Sequence, residues 1–422
     1  MDKKILIATG GTGGHIYPAM ALAQRFAKES KDSKVLFVGG GLSQNRYFDR
    51  TEFDFRTVDC GAFIHKSPLS LMSSLWNISK GILQSRSIIK EFKPDLAVGF
   101  GSYYSFPPLV AALSSSIPFI LHEANSIPGK VNRVLAPYAL ATGVHFPHTI
   151  PLLKGKTFEV GMPLRQGFEK DRVSTEEART YFGLFERKAT VLIFGGSQGA
   201  GFVNQKIPEA LNLYCGALNS CTLHCVKASG FERSQKGSSC NIDPFAIVET
   251  RELSHGAKSK NSTIRSIETA VQVIHITGDS EQSQDLVNFY KNSNIEACVK
   301  PFENRMDLAW QAADFVICRA GASSIAEQLE FEIPGVLIPF PPAADDHQNL
   351  NADFLVNTVG GAEKIQEKDF EAASLSAIIR KFLENDCERL NAMKAAMRDY
   401  KDNARTKDLY TLVIESLKIE KR

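Results

Sequence analysis

Short apolar runs alternate with helical patterns along the first half of the chain. Each run is continuously apolar and is followed by glycine or a polar turn, as in parallel strands that are buried on both faces. These runs predict strands at 4–8, 35–38, 96–98 and 119–121. Residues 16–29 repeat apolar positions with the spacing of an amphipathic helix. The repeated strand–helix units predict a doubly wound parallel sheet with helices on both faces.

The second half of the chain repeats this pattern and predicts a second sheet of the same kind. Gly161 and Pro163 interrupt the chain between the halves. We therefore predict an α/β protein with two doubly wound domains, at 1–160 and 161–395, followed by a charged terminal helix at 396–422. In the second domain, the pattern predicts helices that begin near Gly201, Ser323 and Asn349, and strands at 191–194, 271–276, 297–300, 315–318 and 336–338.

Residues 228–268 break this rhythm, because they are rich in serine, lysine and arginine and poor in periodic apolar positions. We interpret them as a solvated insertion, either a polar loop without function or a disordered segment. A histidine and three cysteines lie in or beside it: Cys221, His224, Cys225 and Cys240. Such residues can bind zinc, but the first three lie in an apolar run and the ligand spacing is incomplete. We therefore predict no metal site.

The composition narrows the class of protein. The chain has 422 residues, of which 43% are hydrophobic and 23% charged, as in a soluble globular protein of two or three domains. The net charge of +2 argues against a nucleic-acid partner held by bulk electrostatics. Scattered cysteines indicate reduced thiols, and the first residues lack the pattern of a signal peptide. We therefore expect a protein that is kept inside the cell.

Residues 66–93 form an amphipathic stretch with basic residues around its apolar positions. Two interpretations stay open: a helix that binds the interface of an anionic bilayer, and a helix that packs on the core. The residues that mix in this stretch are Leu71, Leu75, Trp76, Ile82 and Leu83 with Lys66, Lys80, Arg86 and Lys90.

The sequence TGGTGGH at 9–15 follows the first predicted strand and opens the first helix. Glycines let the backbone approach a ligand, and a helix N-terminus favours an anion. The spacing differs from the dinucleotide fingerprint, and no acidic residue ends the second strand, which argues against a hydride-transfer cofactor. His15 is either a structural histidine or a group that meets a substrate hydroxyl.

Two small-residue turns in the second half also precede predicted helices. GGSQGA at 195–200 would offer the Ser197 hydroxyl and backbone N–H groups to a phosphate or sugar. The turn at 321–324 would suit a diphosphate, and Glu327 follows one turn later. Glu327 could accept hydrogen bonds from ribose hydroxyls, or could simply favour the helix dipole. The polar cluster DDHQN at 345–349 could bind sugar hydroxyls.

Seven motifs occur in one order: TGGTGGH at 9–15, HEAN at 122–125, GMPLR at 161–165, GGSQGA at 195–200, HITG at 275–278, CRAGASSIAE at 318–327 and DDHQNLNA at 345–352. With them the chain resembles the MurG-type N-acetylglucosaminyltransferases of peptidoglycan synthesis, over almost its whole length apart from 228–268. The resemblance implies a GT-B fold, in which two Rossmann-like domains flank a deep cleft. It implies inverting transfer of N-acetylglucosamine (GlcNAc) from UDP-GlcNAc to lipid I, which gives lipid II with a β(1→4) bond.

By that resemblance the N-terminal domain faces the membrane and the acceptor, an undecaprenyl-diphosphate-linked sugar. Thr12, Gly13, Gly14 and Asn125 would close on the donor sugar and the acceptor, and His15 and Asn125 are the candidate catalytic residues. The terminal helix at 396–422 would pack back toward this domain. The resemblance also implies a peripheral protein on the cytoplasmic face of the inner membrane, with an anionic lipid surface as partner. Other cell-wall synthesis proteins could be partners, whereas nucleic acid is not expected.

The C-terminal domain would hold the donor by the same resemblance. Glu327 would take the ribose hydroxyls, the turn at 322–324 the diphosphate, and the backbone near Glu303 the uracil edge. The residues implied to bind the donor are Arg165, Ser197, Glu303, Ala322, Ser323, Ser324, Glu327, His347 and Gln348.

Three features depart from the pattern of the family. Met162 stands where asparagine is usual, and it cannot make the hydrogen bonds of that amide. Ser102 replaces a usual glycine in a loop expected near the acceptor diphosphate. The insertion at 228–268 is absent from typical members.

The chemistry is expected to need no metal or other cofactor, because the donor half has no evident Asp-x-Asp motif. Helix N-termini, backbone N–H groups and Arg165 could instead stabilise the leaving diphosphate. His15 is the candidate base in an oxocarbenium-like transfer.

Three other functions stay open at this point. One is a UDP-GlcNAc 2-epimerase, although such enzymes lack the joint TGGTGGH and HEAN motifs and need no amphipathic surface. The others are a different GT-B glycolipid glycosyltransferase and a non-catalytic nucleotide-sugar sensor, against which the presence of Glu327, Gln348 and His15 counts.

Overall fold

Two parallel sheets form the framework of the protein in a computed structural model that describes residues 3–61, 68–231, 268–404 and 406–419. The first sheet contains β1 (Lys4–Ala8), β2 (Lys34–Gly39), β3 (Phe55–Thr57), β4 (Leu96–Gly99), β5 (Phe119–Glu123), β6 (Ala141–Val144) and β7 (Thr157–Glu159). Its order is β3-β2-β1-β4-β5-β6-β7. The helices of this half are α1 (Gly13–Glu29), α2 (Pro68–Phe92), α3 (Phe106–Ser114) and α4 (Lys130–Leu135).

The second sheet has the order β10-β9-β8-β11-β12-β13, so each sheet is doubly wound about its own first strand. Its strands are β8 (Lys188–Phe194), β9 (Glu268–Ile276), β10 (Glu296–Lys300), β11 (Phe315–Cys318), β12 (Gly335–Leu337) and β13 (Ala362–Lys364). The remaining helices are α5 (Thr175–Tyr181), α6 (Gly196–Phe231), α7 (Ser280–Asn292), α8 (Met306–Ala312), α9 (Ala322–Phe331), α10 (His347–Asp353), α11 (Ala372–Leu383), α12 (Glu388–Asn403) and α13 (Leu409–Ile419).

Burial on both faces explains why the central strands are continuously apolar. In β1, Ile5 and Ile7 enter one core cluster, whereas Leu6 and Ala8 enter another on the opposite face. Because successive strand side chains point to opposite faces, every position of such a strand must be apolar. The strand β8 divides its side chains between two clusters of the second half in the same way.

The structure differs from the sequence prediction at several elements. The predicted helix near Gly201 was placed too late, because α6 begins at Gly196 and its first turn contains most of GGSQGA. Short strands β3, β6, β7 and β13 were not predicted. Most of the predicted insertion, residues 232–267, lies outside the described residues, as does Cys240. The side chains of Cys221, His224 and Cys225 are likewise not described.

The C-terminal end returns to the first half of the molecule. The predicted division between residues 395 and 396 falls inside α12, so the predicted terminal helix is in fact the end of α12 and a separate α13. Leu409, Leu412 and Val413 enter the same core cluster as α1. The Tyr410 ring meets Phe26 edge-on at a centroid distance of 4.9 Å. Apolar packing thus holds α13 against the first sheet's helix layer.

Candidate active site

A cleft of about 1000 Å³ lies between the two halves and is lined by residues of both. Ligands of doubly wound folds bind beyond the carboxyl ends of the strands, and residues that follow β1, β5, β8, β9, β10 and β11 line this cleft. The cleft contains thirteen of the fourteen predicted site residues; the side chain of the other, Ser197, is not described. The predicted residues that line it are Thr12, Gly13, Gly14, His15, Asn125, Arg165, Glu303, Ala322, Ser323, Ser324, Glu327, His347 and Gln348.

Glycine is required for different physical reasons at positions within TGGTGGH and at Gly40, which follows β2. A Cβ atom on Gly10 would come within 2.6 Å of the Tyr104 side chain, and one on Gly40 within 2.2 Å, so these positions make room for an aromatic ring. A Cβ on Gly14 would meet only the Thr12 hydroxyl, at 3.9 Å. Gly14 therefore exposes its backbone to the cleft at the start of α1, where a helix N-terminus favours an anion.

His15 lines the cleft and is held by a single backbone contact. Its Nδ1 lies 2.8 Å from the Phe100 carbonyl oxygen, so in the neutral ring Nδ1 carries the proton and Nε2 is the acceptor. Burial lowers the pKa of His15; the hydrogen bond to Phe100 opposes this, and the nearby His347 adds to it. The imidazole is therefore neutral near pH 7 and able to accept a proton.

The HEAN segment at 122–125 supports the cleft mainly through Glu123. Its buried carboxylate accepts hydrogen bonds from the backbone N–H groups of Asn125 and Gly129, at 3.0 and 2.8 Å, and from Asn132 at 2.8 Å. Asn351 of α10 joins this loop to the other half, donating to the Asn125 side chain at 3.4 Å and to the Ala320 carbonyl at 3.1 Å. The two halves thus meet directly beside Asn125.

The N-terminus of α9 faces the cleft from the second half. Gly321 precedes the helix, and no described side chain caps it, so the first N–H groups of the helix are not taken by a side chain. Ser323 Oγ is buried and has no hydrogen-bond partner among the described residues. Such a turn, with uncapped donors and a free hydroxyl, can hold a diphosphate.

Other predicted donor residues are fixed by their neighbours. The Glu303 side chain is engaged by Lys300 Nζ at 2.6 Å and by the Arg305 N–H at 2.7 Å. Burial alone would raise the pKa of Glu303, but these hydrogen bonds outweigh it and lower the pKa. The carboxylate therefore shapes the loop at 301–303, whose residues line the cleft. Gln348 Oε1 accepts a hydrogen bond from the Phe340 N–H at 3.0 Å, which orients its amide.

Arg165 lies against aromatic rings at the border of the two halves. Its guanidinium is 4.0 Å from the centroid of the Tyr17 ring and 4.4 Å from that of Phe168. Met162 explains how this segment does without the usual asparagine, because its side chain is only 8% exposed and packs in an apolar cluster with Phe168. Local order around Arg165 thus comes from packing rather than from an amide.

Ser102 occupies a backbone conformation that favours glycine, with φ 66° and ψ 152°. Non-glycine residues in this region carry strain of about 1–3 kcal/mol. We expect Ser102→Gly to raise the free energy of unfolding by about 1 kcal/mol, after allowing for the greater freedom of an unfolded glycine. Urea denaturation measures this change. Ser102→Ala keeps the Cβ atom and should give no gain; an equal gain from alanine would contradict the strain.

Several cleft residues were missed by sequence reasoning, above all Tyr17, Arg46, Tyr47 and Arg319. Tyr17 meets Tyr47 edge-on at 5.8 Å, and the Arg46 guanidinium lies 4.8 Å from the Tyr47 ring centroid. Arg46 and Tyr47 follow β2, whose carboxyl end borders the cleft. The position of that strand end was a signal that could have found them.

Comparison with known proteins identifies the family. Residues 5–144 match the glycosyltransferase family 28 N-terminal domain, and residues 190–408 match the glycosyltransferase family 28 C-terminal domain. A relative from Protochlamydia amoebophila (strain UWE25) is 41% identical over 420 residues, 100% of this chain and 97% of the relative. It is named UDP-N-acetylglucosamine–N-acetylmuramyl-(pentapeptide) pyrophosphoryl-undecaprenol N-acetylglucosamine transferase. A relative of the same name from Thermodesulfovibrio yellowstonii is 30% identical over 396 residues, 93% of each chain.

Solved structures agree on the architecture. The crystal structure of MurG from Acinetobacter baumannii aligns with a TM-score of 0.65 over 100% of both chains, at 22% sequence identity. Together with the two doubly wound sheets, this likeness confirms the predicted GT-B fold. The chain belongs to glycosyltransferase family 28 and, within it, to the MurG family that its motifs resemble.

Proposed function

We propose that this protein transfers GlcNAc from UDP-GlcNAc to lipid I and so forms lipid II. The observation that carries the proposal is the single cleft in which TGGTGGH and HEAN face the turn at 321–324, Glu327 and Gln348. One half thus offers a base and an exposed glycine backbone, and the other offers a helix N-terminus and a carboxylate. Transfer between two bound substrates needs these two sets of groups to face each other.

The donor is proposed to bind in the second half. The N-terminal turn of α9 holds the diphosphate, and the Ser323 hydroxyl supplies an additional donor. Negative charge grows on the leaving UDP during transfer, so fixed N–H groups at a helix N-terminus stabilise the transition state more than the ground state. Arg165 lines the same cleft and adds a positive charge. Ser197 stays a predicted nucleotide contact.

The acceptor is proposed to bind against the first half, with His15 as the base. A neutral imidazole with Nδ1–H held by Phe100 presents Nε2 as a proton acceptor. Nε2 takes the proton of the acceptor 4-hydroxyl as its oxygen attacks the anomeric carbon and the bond to UDP breaks. Asn125 and Thr12 line the adjoining wall and are proposed to position the sugars. The single displacement inverts the anomeric configuration.

No metal or other cofactor enters this proposal. Among the described residues, no group of three histidine, cysteine, aspartate or glutamate side chains could hold a metal ion. The proposed stabilisation of the diphosphate rests on α9 and Arg165 alone. Transfer at full rate in the presence of excess EDTA is the expected result.

Acceptor-dependent release of UDP tests the proposed function. Purified protein is incubated with UDP-GlcNAc, with and without a lipid I analogue, and the released UDP is measured. Release that requires the analogue supports the proposal. Conversion of UDP-GlcNAc to its 2-epimer without UDP release would support the epimerase instead, and binding without any conversion would indicate a nucleotide-sugar sensor.

We further infer that the protein lies peripherally on the cytoplasmic face of an anionic membrane and contacts the membrane through one face of α2. Exposed apolar side chains share one side of this helix, among them Trp76, which is 72% exposed. Met72 and Leu83 are each 67% exposed. Within the described ranges, no helix is long and apolar enough to cross a bilayer. Exposed apolar groups with nearby lysine and arginine are typical of an interfacial helix, which would bring the cleft close to a lipid-linked acceptor.

Vesicle binding should depend on this face. We expect the double variant Trp76→Ser, Leu83→Ser to bind anionic phospholipid vesicles at least about tenfold more weakly, because two large apolar side chains no longer enter the bilayer. Flotation of protein with vesicles measures the loss. Phe185→Ser is the control, since Phe185 is 53% exposed in the other half. No vesicle binding by the wild type, or equal loss with Phe185→Ser, would contradict the inference.

A further inference from the structure

A buried indole holds the carboxylate in the donor half of the cleft. Trp310 of α8 is 0% exposed and donates its Nε1–H to Glu327 Oε2 at 2.7 Å. Glu327 lies on α9 and lines the cleft. We propose that Trp310 is a positioning residue that fixes the Glu327 carboxylate for recognition of the donor ribose, and so makes the site selective for ribonucleotides. The inference rests on the proposed function, because it takes the donor to be a uridine diphosphate sugar.

The side chains packed around Trp310 fix the direction in which its N–H group points. The Phe194 ring meets the indole edge-on, with centroids 5.6 Å apart and planes at 87°. The indole also belongs to an apolar cluster that contains Leu308, Ile325 and Ala326. A large ring packed on all sides cannot change its rotamer without opening the core. The N–H therefore acts as a fixed donor, and a charge-assisted hydrogen bond to it holds the carboxylate.

Because the indole of Trp310 is a neutral donor, it does not neutralise the negative charge of the Glu327 carboxylate. Glu327 makes no ion pair with any described residue, and the guanidinium of the nearby Arg165 stacks on Tyr17 and Phe168. A lysine or arginine in place of the indole would neutralise the carboxylate and compete with hydroxyl groups. The indole N–H occupies one side of Oε2, so Oε1 can accept a ribose hydroxyl.

The electrostatics of Glu327 agree with this role. Burial raises the pKa of Glu327 above its ordinary value, and the Arg165 charge and the Trp310 hydrogen bond offset only part of this rise. The indole thus stabilises the ionised form, which is the form that accepts hydrogen bonds from two hydroxyls. Without the N–H, the carboxylate would lose both its orientation and part of the stabilisation of its charge.

Nucleotide binding tests the proposal without any need for transfer. UDP and 2′-deoxy-UDP are titrated into the purified protein by calorimetry. A hydrogen bond to a charged group corresponds to about tenfold or more in affinity, so the wild type should prefer UDP by at least that factor. In Trp310→Phe, which keeps a ring and removes the donor, the preference should fall to about threefold or less. The KM for UDP-GlcNAc should rise about tenfold in this variant, with little change in kcat.

Two further variants separate positioning from simple loss of stability. Leu308→Ala removes a side chain from the same cluster and helix, so it should lower the melting temperature yet keep the preference for UDP. Glu327→Gln should lose the preference, and Trp310→Phe combined with Glu327→Gln should lose no more than Glu327→Gln alone.

The outcomes distinguish the inference from the proposed function. Retention of the preference in folded Trp310→Phe would overturn the role of Trp310 and leave the transferase intact. Loss of the preference in Leu308→Ala as well would show that any damage to this core has the same effect, which also overturns it. Failure of the wild type to bind UDP would overturn both.

Discussion

His15→Ala is expected to lower kcat by about 10²–10⁴-fold, the range for loss of a general base. The acceptor hydroxyl must lose a proton during the attack, and His15 Nε2 is the proposed proton acceptor because Nδ1 is bonded to the Phe100 carbonyl. Binding of UDP should change little, since His15 lies in the half that is proposed to hold the acceptor. Single-turnover kinetics and calorimetry measure the two effects separately.

The dependence of kcat/KM on pH tests the role of His15 more specifically. Because burial lowers the pKa of His15, the base stays neutral below pH 6.5, and kcat/KM should fall only in more acidic solution. His15→Ala should remove this acid limb. His148→Ala is the control, because His148 is exposed and does not line the cleft. A loss of less than about tenfold in His15→Ala would show that another group, or solvent, takes the proton.

Acid is expected to destabilise the fold strongly, before most carboxylates titrate. Burial lowers the pKa of His122 and His275 to about 3 and that of His145 to about 4, from 6.5. The neutral rings therefore stabilise the folded state fully above pH 6.5, and this contribution is lost as the pH falls from 6.5 to about 4 for His145 and to about 3 for His122 and His275. At pH 5 the loss is about 2 kcal/mol for each of these histidines.

Chemical denaturation between pH 7 and pH 5 measures this loss, and its slope gives the protons taken up on unfolding. His275→Gln is the informative variant. His275 bonds Tyr290 Oη at 2.9 Å and Asn204 Oδ1 at 3.1 Å, contacts that a neutral amide can partly replace. This variant should lose less stability than the wild type over the same pH range. Equal stability of the wild type at pH 7 and pH 5 would contradict the burial of neutral histidines.

The central strands and the cleft could be predicted from sequence, because buried strands appear as short apolar runs that can be recognised locally. β1 was predicted at its observed bounds, since the four residues after Lys4 are all apolar and are buried on both faces of the sheet. Glu327 was predicted beside the cleft because it follows a small-residue turn after β11. By contrast, β3, β7 and β13 have only three residues each, and their polar side chains leave no apolar run.

Other features depend on contacts that are distant in sequence. Tyr104 lies in a different segment of the chain, yet its ring leaves room only for glycine at Gly10 of TGGTGGH and at Gly40. The motif alone therefore could not show which of its glycines pack against a side chain and which face a ligand. Sequence reasoning likewise placed GGSQGA in a loop, although a helix already begins at Gly196. The hydrogen bond from Trp310 to Glu327 joins two helices and has no signature in either.

The structure of the reaction product is the decisive measurement, because two facing halves are proposed to carry out one inverting transfer. Purified protein is supplied with UDP-GlcNAc and a lipid I analogue, and the product is analysed by mass spectrometry and by NMR of its new anomeric proton. We expect a disaccharide lipid in which GlcNAc is attached to the muramoyl 4-hydroxyl by a β bond. An α bond, or the absence of a disaccharide when the folded protein binds both substrates, would contradict it.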